Sequence, residues 1–479
     1  MRPPFDHQRL TRRAFLSGAS AGLGGLALAS LTGPAHSQTG AIGGLPGLPH
    51  FTPKAKRVVW IFPCGGASQI ELFDDKPVLR ERQGQLLPES VRQGQRLTTM
   101  TSTQPVFYLA GSPFTFARHG QSGAELSELL PHLSTVADDL CIVKSFHGEA
   151  INHDPAMTFI HTGAELPGRP TMGAWASYGL GRESEELPAF VVLVAKCTTP
   201  EAQPLYGRAW SSGFLPAVHQ GVQLRSGGDP VLYLDEGAQL PGVARQDLVR
   251  RVGELDRLHH AATLDPELET KIANYELAFR LQSSVPELAD LSAEPEGTFR
   301  LYGEDARRPG THARNCLLAR RLLERGVRWV QLFHRDWDHH SDGPNRLRHV
   351  AQETDQGTAG LVADLKQRGL LEDTLVVWVS EFGRTAYVHG GVGPNFGRDH
   401  HPRCWSGWLA GGGIKAGQTY GATDEFSYNI VEHPVHVHDL HATLLHLLGV
   451  DHLRLTARHL GRDFRLTDVA GQVIPGLLA

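Results

Sequence analysis

The sequence is 479 residues long, with a formal net charge of −5 and a pI near 6.6. A chain of this length buries a large core, either as one large α/β domain or as two or three smaller ones. The slightly acidic balance excludes the broad basic field that draws proteins to nucleic acid or anionic lipid, so neither is expected as a partner.

The five cysteines form no metal-binding pair. They are Cys64, Cys141, Cys197, Cys316 and Cys404, which lie far apart in the sequence. Without a CxxC pair a thiolate zinc site is excluded, and an odd number cannot all form disulfides within the chain. We expect most of them to be small buried residues.

The N-terminus has the pattern of a twin-arginine export signal. Paired arginines at 12–13 precede a weakly apolar run at 19–31, and a small-x-small tripeptide at 35–37 follows. The run is too short and too rich in glycine for a transmembrane helix, so the pattern predicts a signal peptide over 1–37 and a linker over 38–56. The twin-arginine translocase would export the folded protein to the periplasm or the cell exterior, leaving no stable membrane span after cleavage.

Strand and helix patterns alternate along the mature chain. Uninterrupted apolar runs predict buried strands, and runs with one apolar face that stop at glycine predict helices. In chain order we predict a strand at 57–62, a helix at 313–325, a strand at 327–333, a helix ending at Gly369, a strand at 374–379 and a last helix capped by Asp439. This alternation predicts a three-layer α/β/α domain over 57–479 with a mostly parallel central sheet. A Gly/Pro-rich and helical region at about 199–300, with a helix predicted at 265–283, interrupts the pattern as a cap or insertion.

Three polar clusters follow the predicted strands. The segment 334–342, HRDWDHHSD, begins where the strand at 327–333 ends, and the segment 380–385, SEFGRT, begins where the strand at 374–379 ends. A third segment, 397–402, reads GRDHHP. Because α/β sheets collect ligands at the carboxyl ends of their strands, the three clusters should converge on one edge.

Imidazole and carboxylate groups in these clusters are donors that zinc and similar divalent ions take. Asp338 and His340 are two residues apart, so an extended backbone places both on one face, and His400 is the candidate third ligand. Glu381 either completes the site or orients Arg384 or a ligand histidine from outside it. The ion, with zinc as first choice and calcium, magnesium or manganese as alternatives, would offer a bound hydroxide or a Lewis acid to a phosphoryl, sulfuryl or acyl oxygen. Arg384 would bind an anionic substrate through its planar guanidinium.

Histidine is abundant, with 26 in the chain, so many histidines must have ordinary roles. His436, His438, Asp439 and His441 form another cluster of candidate ligands. Because this cluster leads into a helix with an apolar stripe, we predict helix capping and solvation for it and not metal binding.

Several of these segments resemble the bacterial secreted family of domain of unknown function 1501, which belongs by similarity to the alkaline phosphatase and sulfatase superfamily. The resemblance covers nearly the whole mature chain. Its landmarks are the segments 65–68 (GGAS), 73–77 (FDDKP), 152–154 (NHD), 161–163 (HTG), 337–340 (WDHH), 380–385 (SEFGRT), 397–400 (GRDH) and 420–425 (YGATDE). Together they are typical of the family but of no particular activity.

The superfamily resemblance implies a divalent-metal cluster at the carboxyl edge of the sheet that splits phosphate or sulfate esters. Asp338 and His340 match its Asp and His ligands, and His400 resembles a later His of the same ion. Glu381-Phe382 stands where the superfamily usually has an Asp-His pair, so the carboxylate is kept and the imidazole is lost.

The first strand departs from the superfamily pattern, because it ends in Cys64-Gly65 where an acidic ligand is usual. The resemblance allows Asp74 or Glu71 to replace that ligand if the following loop folds back.

The place of the superfamily nucleophile departs further. Aligning the segment 161–163, HTG, with the end of the sulfatase signature puts His153 where the modified cysteine belongs, and no Ser, Thr or Cys replaces it. Covalent catalysis needs such a nucleophile. Three interpretations remain: attack by metal-bound water, His153 as a ligand or nucleophile, or a binding role without catalysis.

Two functions follow as hypotheses. The first is an exported metal-dependent hydrolase of phosphate or sulfate esters that acts on an anionic small-molecule ester. In it Asp338, His340 and His400 hold the ion, and Glu381 or His153 completes the site. The second is a non-catalytic periplasmic binding or assembly protein on a degenerate alkaline phosphatase-like scaffold.

Overall fold

The computed structural model describes residues 42–196, 198, 203–225, 251, 254, 281 and 284–479. The predicted signal peptide and almost all of the helix predicted at 265–283 lie outside these residues. Within the described part, every helix falls short of the length and apolar composition that a bilayer span needs.

The strands alternate with helices as the sequence pattern predicts. The strands are β1 (Arg57–Pro63), β2 (Phe116–His119), β3 (Ala124–Ser127), β4 (Leu140–His147), β5 (Phe190–Val194), β6 (Val222–Leu224), β7 (Trp329–His334), β8 (Thr374–Trp378), β9 (Gly383–His389), β10 (Gly397–His401), β11 (Trp405–Ala410), β12 (Gln418–Tyr420), β13 (Ala422–Thr423), β14 (Ile430–Glu432), β15 (Val435–His436), β16 (Ala457–His459) and β17 (Arg462–Phe464). The helices used below are α1 (Gln69–Leu72), α2 (Pro77–Glu81), α3 (Glu89–Arg92), α4 (His153–Thr162), α5 (Met172–Leu180), α6 (Glu296–Tyr302), α7 (His312–Glu324), α8 (Gly343–Gln367) and α9 (Val437–Leu447).

A nine-stranded sheet forms the centre of the described part of the chain. Its order is β12-β4-β11-β8-β1-β7-β5-β6, with β15 also pairing with β4. β1 pairs in parallel with both β7 and β8, so that Pro63 lies opposite His334 and Ile61 opposite Trp378. In this sheet only β11 runs antiparallel to its neighbours. The prediction of a mostly parallel sheet is therefore confirmed.

Helices cover both faces of this sheet. Val59 and Ile61 of β1 belong to a core that α7 and α8 share, whereas Trp60 and Phe62 belong to a second core that α4, α5 and α9 share. Successive side chains of a strand point to opposite faces, so a strand covered on both sides must be apolar throughout. The three-layer α/β/α architecture follows from that continuous apolar pattern.

The start of the last helix was predicted wrongly. Helix α9 begins at Val437, and its N-cap is His436, whose side chain accepts a hydrogen bond from the backbone of His438. Asp439 lies within the first turn, and its carboxylate accepts a hydrogen bond from the backbone N–H of His436, which completes a capping box.

The sequence pattern also missed the antiparallel pair β9 and β10. These short strands carry arginine, aspartate and histidine side chains, so their composition does not resemble that of the apolar strands of the central sheet. In the pair, Arg384 of β9 lies opposite His400 of β10.

Candidate metal centre

Four side chains converge at the carboxyl edge of the sheet. They are His153, Asp338, His340 and His400, and one donor atom from each lies within 4.8 Å of the donor atoms of the other three. Asp338 Oδ1 is 2.9 Å from His340 Nε2, and Asp338 Oδ2 is 3.1 Å from His153 Nε2. His400 Nε2 lies 3.1 Å from His340 Nε2 and 3.4 Å from Asp338 Oδ1. We call this group the His3Asp cluster.

Separate parts of the fold supply these side chains. His153 is the first residue of α4, Asp338 and His340 lie on the loop after β7, and His400 belongs to β10. The β7 loop is held against β10, because the Arg398 N–H donates to the His339 carbonyl. The structure thus brings together the three ligands predicted from sequence, while metal binding itself stays a prediction.

Two glycines allow the backbones around the cluster to approach closely. A Cβ atom on Gly65, which has φ +121°, would lie 2.5 Å from the backbone nitrogen of Asp338. A Cβ atom on Gly397 would lie 1.9 Å from the backbone carbonyl carbon of His340. Side chains at these positions would push apart the segments that carry the ligands.

Arg384 fixes Asp338 from behind. The guanidinium is buried, with Nη2 2.6 Å from Asp338 Oδ1 and Nε donating to the Gly66 carbonyl at 2.8 Å. Its other donors reach the carbonyls of Gly65 and Arg398. Most of its N–H groups are thus already engaged, which favours positioning of Asp338 over the substrate-binding role predicted for Arg384.

Glu381 orients His153 and lies outside the His3Asp cluster. Its side chain is fully buried, and Oε1 accepts from His153 Nδ1 and from the Gly65 N–H, both at 2.8 Å. Ser380 Oγ donates to Oε2 at 2.8 Å. Of the alternatives weighed for Glu381, the contacts favour orientation of a ligand histidine, and His153 takes the fourth place in the cluster.

The remaining two histidines are oriented through their Nδ1 atoms. His400 Nδ1 lies 2.9 Å from the carbonyl of Ile151, which can only accept, so the proton is on Nδ1. His340 Nδ1 lies 3.1 Å from His389 Nδ1. Metal-bound histidines characteristically engage their second nitrogen in this way. No sequence pattern pointed to Ile151 or His389.

The donor set fits a zinc-like ion. With their protons on Nδ1, neutral His153 and His400 each present an Nε2 lone pair to the Asp338 carboxylate, and His153 Nε2 is buried without a hydrogen bond. Two acceptors that face each other repel unless a cation or a proton lies between them. One ion satisfies all four side chains, and ligands of tetrahedral zinc lie about 3.3 Å apart, close to the shortest separations of 2.9–3.4 Å seen here.

Electrostatics keep the centre ready for a cation. Burial alone raises the pKa of Asp338, but the Arg384 charge and the three adjacent histidine rings outweigh it and hold that pKa far below its usual value. Burial lowers the pKa of His400 to about 4, which leaves the ring neutral at pH 7. Burial also acts to lower the pKa of His153, yet the neighbouring carboxylates of Asp338 and Glu381 outweigh it and raise that pKa.

The acidic residues after β1 do not join the cluster. Glu71 pairs with Arg398 at 2.7 Å, and Asp74 is bound by Lys76, Lys144 and two hydroxyl groups. The idea that one of them replaces the missing acidic ligand is therefore wrong, because each already has cationic partners of its own.

The thiol beside the cluster does not replace that ligand either. Cys64 is buried, and burial together with the charge of Glu381 raises the pKa of its thiol well above the usual value. A protonated thiol is a poor metal ligand.

The family comparison agrees with the sequence resemblance to domain of unknown function 1501. A family model described as "Protein of unknown function (DUF1501)" matches residues 55–478. The comparison with curated proteins gives no match. Among solved structures the chain is similar to the PsFucS1 sulfatase from Pseudoalteromonas sp., with 13% identity, 83% of this chain and 68% of that chain covered, and a TM-score of 0.33.

Two further solved structures show the same distant likeness. The phosphonate monoester hydrolase SpPMH from Silicibacter pomeroyi is 13% identical, with 67% of this chain and 68% of that chain covered and a TM-score of 0.31. The alkaline phosphatase from the Antarctic bacterium TAB5 is 11% identical, with 77% and 94% covered and a TM-score of 0.26. At such scores the activities of these enzymes are properties of those proteins alone.

Proposed function

The chain belongs to the DUF1501 family, and from its His3Asp cluster we propose that it is an exported, metal-dependent hydrolase of phosphate or sulfate esters. The observation that carries this proposal is the convergence of four donor atoms within 4.8 Å of one another, three of them imidazole nitrogens. Export rests on the twin-arginine pattern at 1–37, with the translocase as partner during export.

Zinc is the ion that we propose for the site. Three imidazoles and one carboxylate match its ligand preference, whereas calcium and magnesium prefer sites built from oxygen ligands alone. When bound, a zinc ion supplies Lewis acidity toward an ester oxygen and lowers the pKa of a coordinated water.

The chain's own residues prepare the site for that ion. Arg384 keeps Asp338 ionised through their ion pair. Its buried guanidinium is itself held in place, because it donates to the carbonyls of Gly65 and Gly66 in the turn after β1. Glu381 and the Ile151 carbonyl each fix a proton on Nδ1 of a ligand histidine. This orientation removes the need for the ligands to rearrange when an ion arrives.

Water is the attacking group that the surroundings favour. Among the described residues, the groups that hydrogen-bond to the four cluster side chains come from Gln203, Glu381, Arg384, His389 and the Ile151 backbone, and none is a Ser, Thr or Cys side chain. Covalent ester hydrolysis would need a nucleophile at this position. His153 is committed to Glu381 and the cluster, which supports a ligand role for it.

Turnover of aryl esters tests this proposal. Full-length protein purified without a histidine tag is screened with aryl phosphates and aryl sulfates, before and after removal of metal by a chelator and after return of zinc. We expect hydrolysis that is lost with the metal, restored by zinc and absent from His340→Ala. Turnover that survives both the removal of metal and the His340→Ala substitution would refute the proposal. Stoichiometric zinc without turnover would favour a periplasmic binding protein.

A further inference from the structure

Arg335 is the first residue after β7 and lies beside the turn that supports the metal centre. The Cys64 N–H donates to the His334 carbonyl at 2.8 Å, and the Trp337 N–H donates to the Cys64 carbonyl at 3.1 Å. These two bonds hold the backbone around Arg335 alongside Cys64. Two residues separate it from Asp338 of the His3Asp cluster.

Among the residues that the structure describes, none pairs with the guanidinium of Arg335. The residue is half-buried, its Nε is buried without a hydrogen bond, and it makes no ion pair with any described residue. Two nearby arginines behave differently, since Arg384 is bound to Asp338 and Arg398 to Glu71. Because no described residue binds them, the terminal N–H groups of Arg335 remain free to donate to an acceptor from outside the chain.

The charge of Arg335 acts on Cys64, the residue that follows β1. Burial and the charge of Glu381 raise the pKa of the Cys64 thiol, and among the opposing effects that of the Arg335 guanidinium is the largest. The Gly65 N–H next to this thiol donates to Glu381. The unpaired cation is therefore close to the residues that hold the ligand histidine His153.

We infer that Arg335 binds the tetrahedral oxyanion of the substrate, a phosphate or sulfate group, next to the His3Asp cluster; this inference rests on the function proposed above. The planar guanidinium presents paired N–H donors that match such an anion. It takes the role that the sequence pattern gave to Arg384, whose donors are used within the protein. The terminal N–H groups of Arg335, which no described residue binds, are the donors available to that anion.

Anion binding by variants of Arg335 tests the inference. Full-length protein loaded with zinc is titrated calorimetrically with inorganic phosphate and, separately, with inorganic sulfate. In Arg335→Met we expect affinity to fall roughly 10- to 100-fold, the loss that follows removal of a charged hydrogen bond. Zinc content and melting temperature should stay at wild-type values. Arg335→Lys should fall between the two, because an ammonium keeps the charge but not the paired donors.

Arg169 offers a matched control. It is also a half-buried arginine, but its guanidinium pairs with Asp468 at 2.9 Å. Arg169→Met should bind both anions as the wild type does. Equal affinity in Arg335→Met and wild type would overturn the inference, as would loss of zinc from Arg335→Met or failure of the wild type to bind either anion. Because these titrations need no turnover, an inactive protein whose anion binding depends on Arg335 would support the inference while the hydrolase proposal failed.

Discussion

The two ends of helix α4 contact two groups of histidines that look alike in sequence and differ in structure. At its first residue, His153 joins His340 and His400, whose ring nitrogens face one another and a carboxylate. At its last turn, His438 Nε2 donates to the Gly163 carbonyl at 2.9 Å and His441 Nε2 to the Ile160 carbonyl at 2.8 Å.

The difference follows from the helix itself. The last turn of a helix leaves carbonyl groups without partners, and these groups accept bonds from nearby imidazoles. The first turn presents N–H groups instead, so it offers nothing to an imidazole N–H. Histidines near that end direct Nδ1 outward to Glu381 or Ile151 and leave Nε2 for a cation. The two groups thus differ in which nitrogen is engaged: Nε2 of His438 and His441 donates to carbonyls of α4, whereas Nε2 of His153 and His400 stays available for a cation.

Removing one histidine from each cluster should break this comparison most clearly. His340→Ala removes a ligand without removing a side chain that fills the core. Because loss of a residue that only orients a ligand typically costs about 10- to 100-fold, we expect loss of the ligand itself to weaken zinc binding by at least about 100-fold. His441→Leu should leave zinc bound and lower the free energy of unfolding by about 1–3 kcal/mol, because the Ile160 carbonyl loses its donor. Zinc competition with a fluorescent chelator and urea unfolding measure the two effects.

Asp338→Ala gives a second view of the same cluster, although it also leaves the buried Arg384 without its carboxylate. Zinc binding retained by both Asp338→Ala and His340→Ala would contradict the account.

The contact between Glu381 and His153 tests a residue that orients a ligand without belonging to the His3Asp cluster. Glu381→Gln keeps the shape of the side chain but replaces a charged acceptor with a neutral one. Outer partners of metal-bound histidines typically contribute 10- to 100-fold to affinity, so we expect zinc to bind about 10- to 100-fold more weakly. Isothermal titration with zinc measures this change. If Glu381→Gln bound zinc as tightly as wild type, orientation of His153 by Glu381 would not matter.

The structural histidines should make the protein sensitive to acid. Burial lowers the pKa of His441 to about 3, whereas the unfolded chain takes up this proton near 6.5. Stability is therefore full above pH 6.5 and falls as the pH decreases toward 3, because only the unfolded state binds the proton. Each such histidine adds about 1.4 kcal/mol of loss per pH unit within that window.

Urea unfolding at pH 7, 6 and 5 checks this dependence. The free energy of unfolding of His441→Leu should fall less steeply with decreasing pH than that of the wild type, because its unfolded state takes up one proton fewer. The exposed His132 provides the control, and His132→Gln should follow the wild-type curve. A His441→Leu curve parallel to that of the wild type would mean that the buried ring is protonated in the folded protein.

The smallest effect is expected at His389. Its Nδ1 lies 3.1 Å from Nδ1 of His340, so it can accept the proton that a metal-bound His340 must carry. His389→Leu removes this acceptor and should weaken zinc binding by roughly 10-fold, the lower end of the range for outer partners. His389→Asn places an oxygen near the position of Nδ1 and should restore most of the affinity. Equal weakening in both variants would indicate loss of packing and not of the acceptor.

The sequence predicted the sheet better than the site. Apolar runs such as residues 57–62 and 374–379 require cover on both faces, so local composition was enough to place β1 and β8. Asp338 and His340 were recognisable because they follow β7 directly. His153 was noticed only through the family resemblance and was left as either a ligand or a nucleophile, because its distance to Asp338 depends on how α4 packs.

The roles of Glu381 and Arg384 could not be read from the sequence for a related reason. A carboxylate and a guanidinium suit a metal ion or a substrate by their chemistry alone. Their hydrogen bonds to Gly65 and Gly66, more than three hundred residues away in the chain, decide that both act from behind the site. Such contacts arise only when β1 and β8 pair.

The most direct test of the central claim is the position of bound zinc in a crystal, located from anomalous scattering at the zinc edge. The account predicts a peak about 2.0–2.2 Å from donor atoms of His153, Asp338, His340 and His400. A peak among His436, His438 and His441 instead, or zinc-soaked crystals without a peak at the His3Asp cluster, would contradict it.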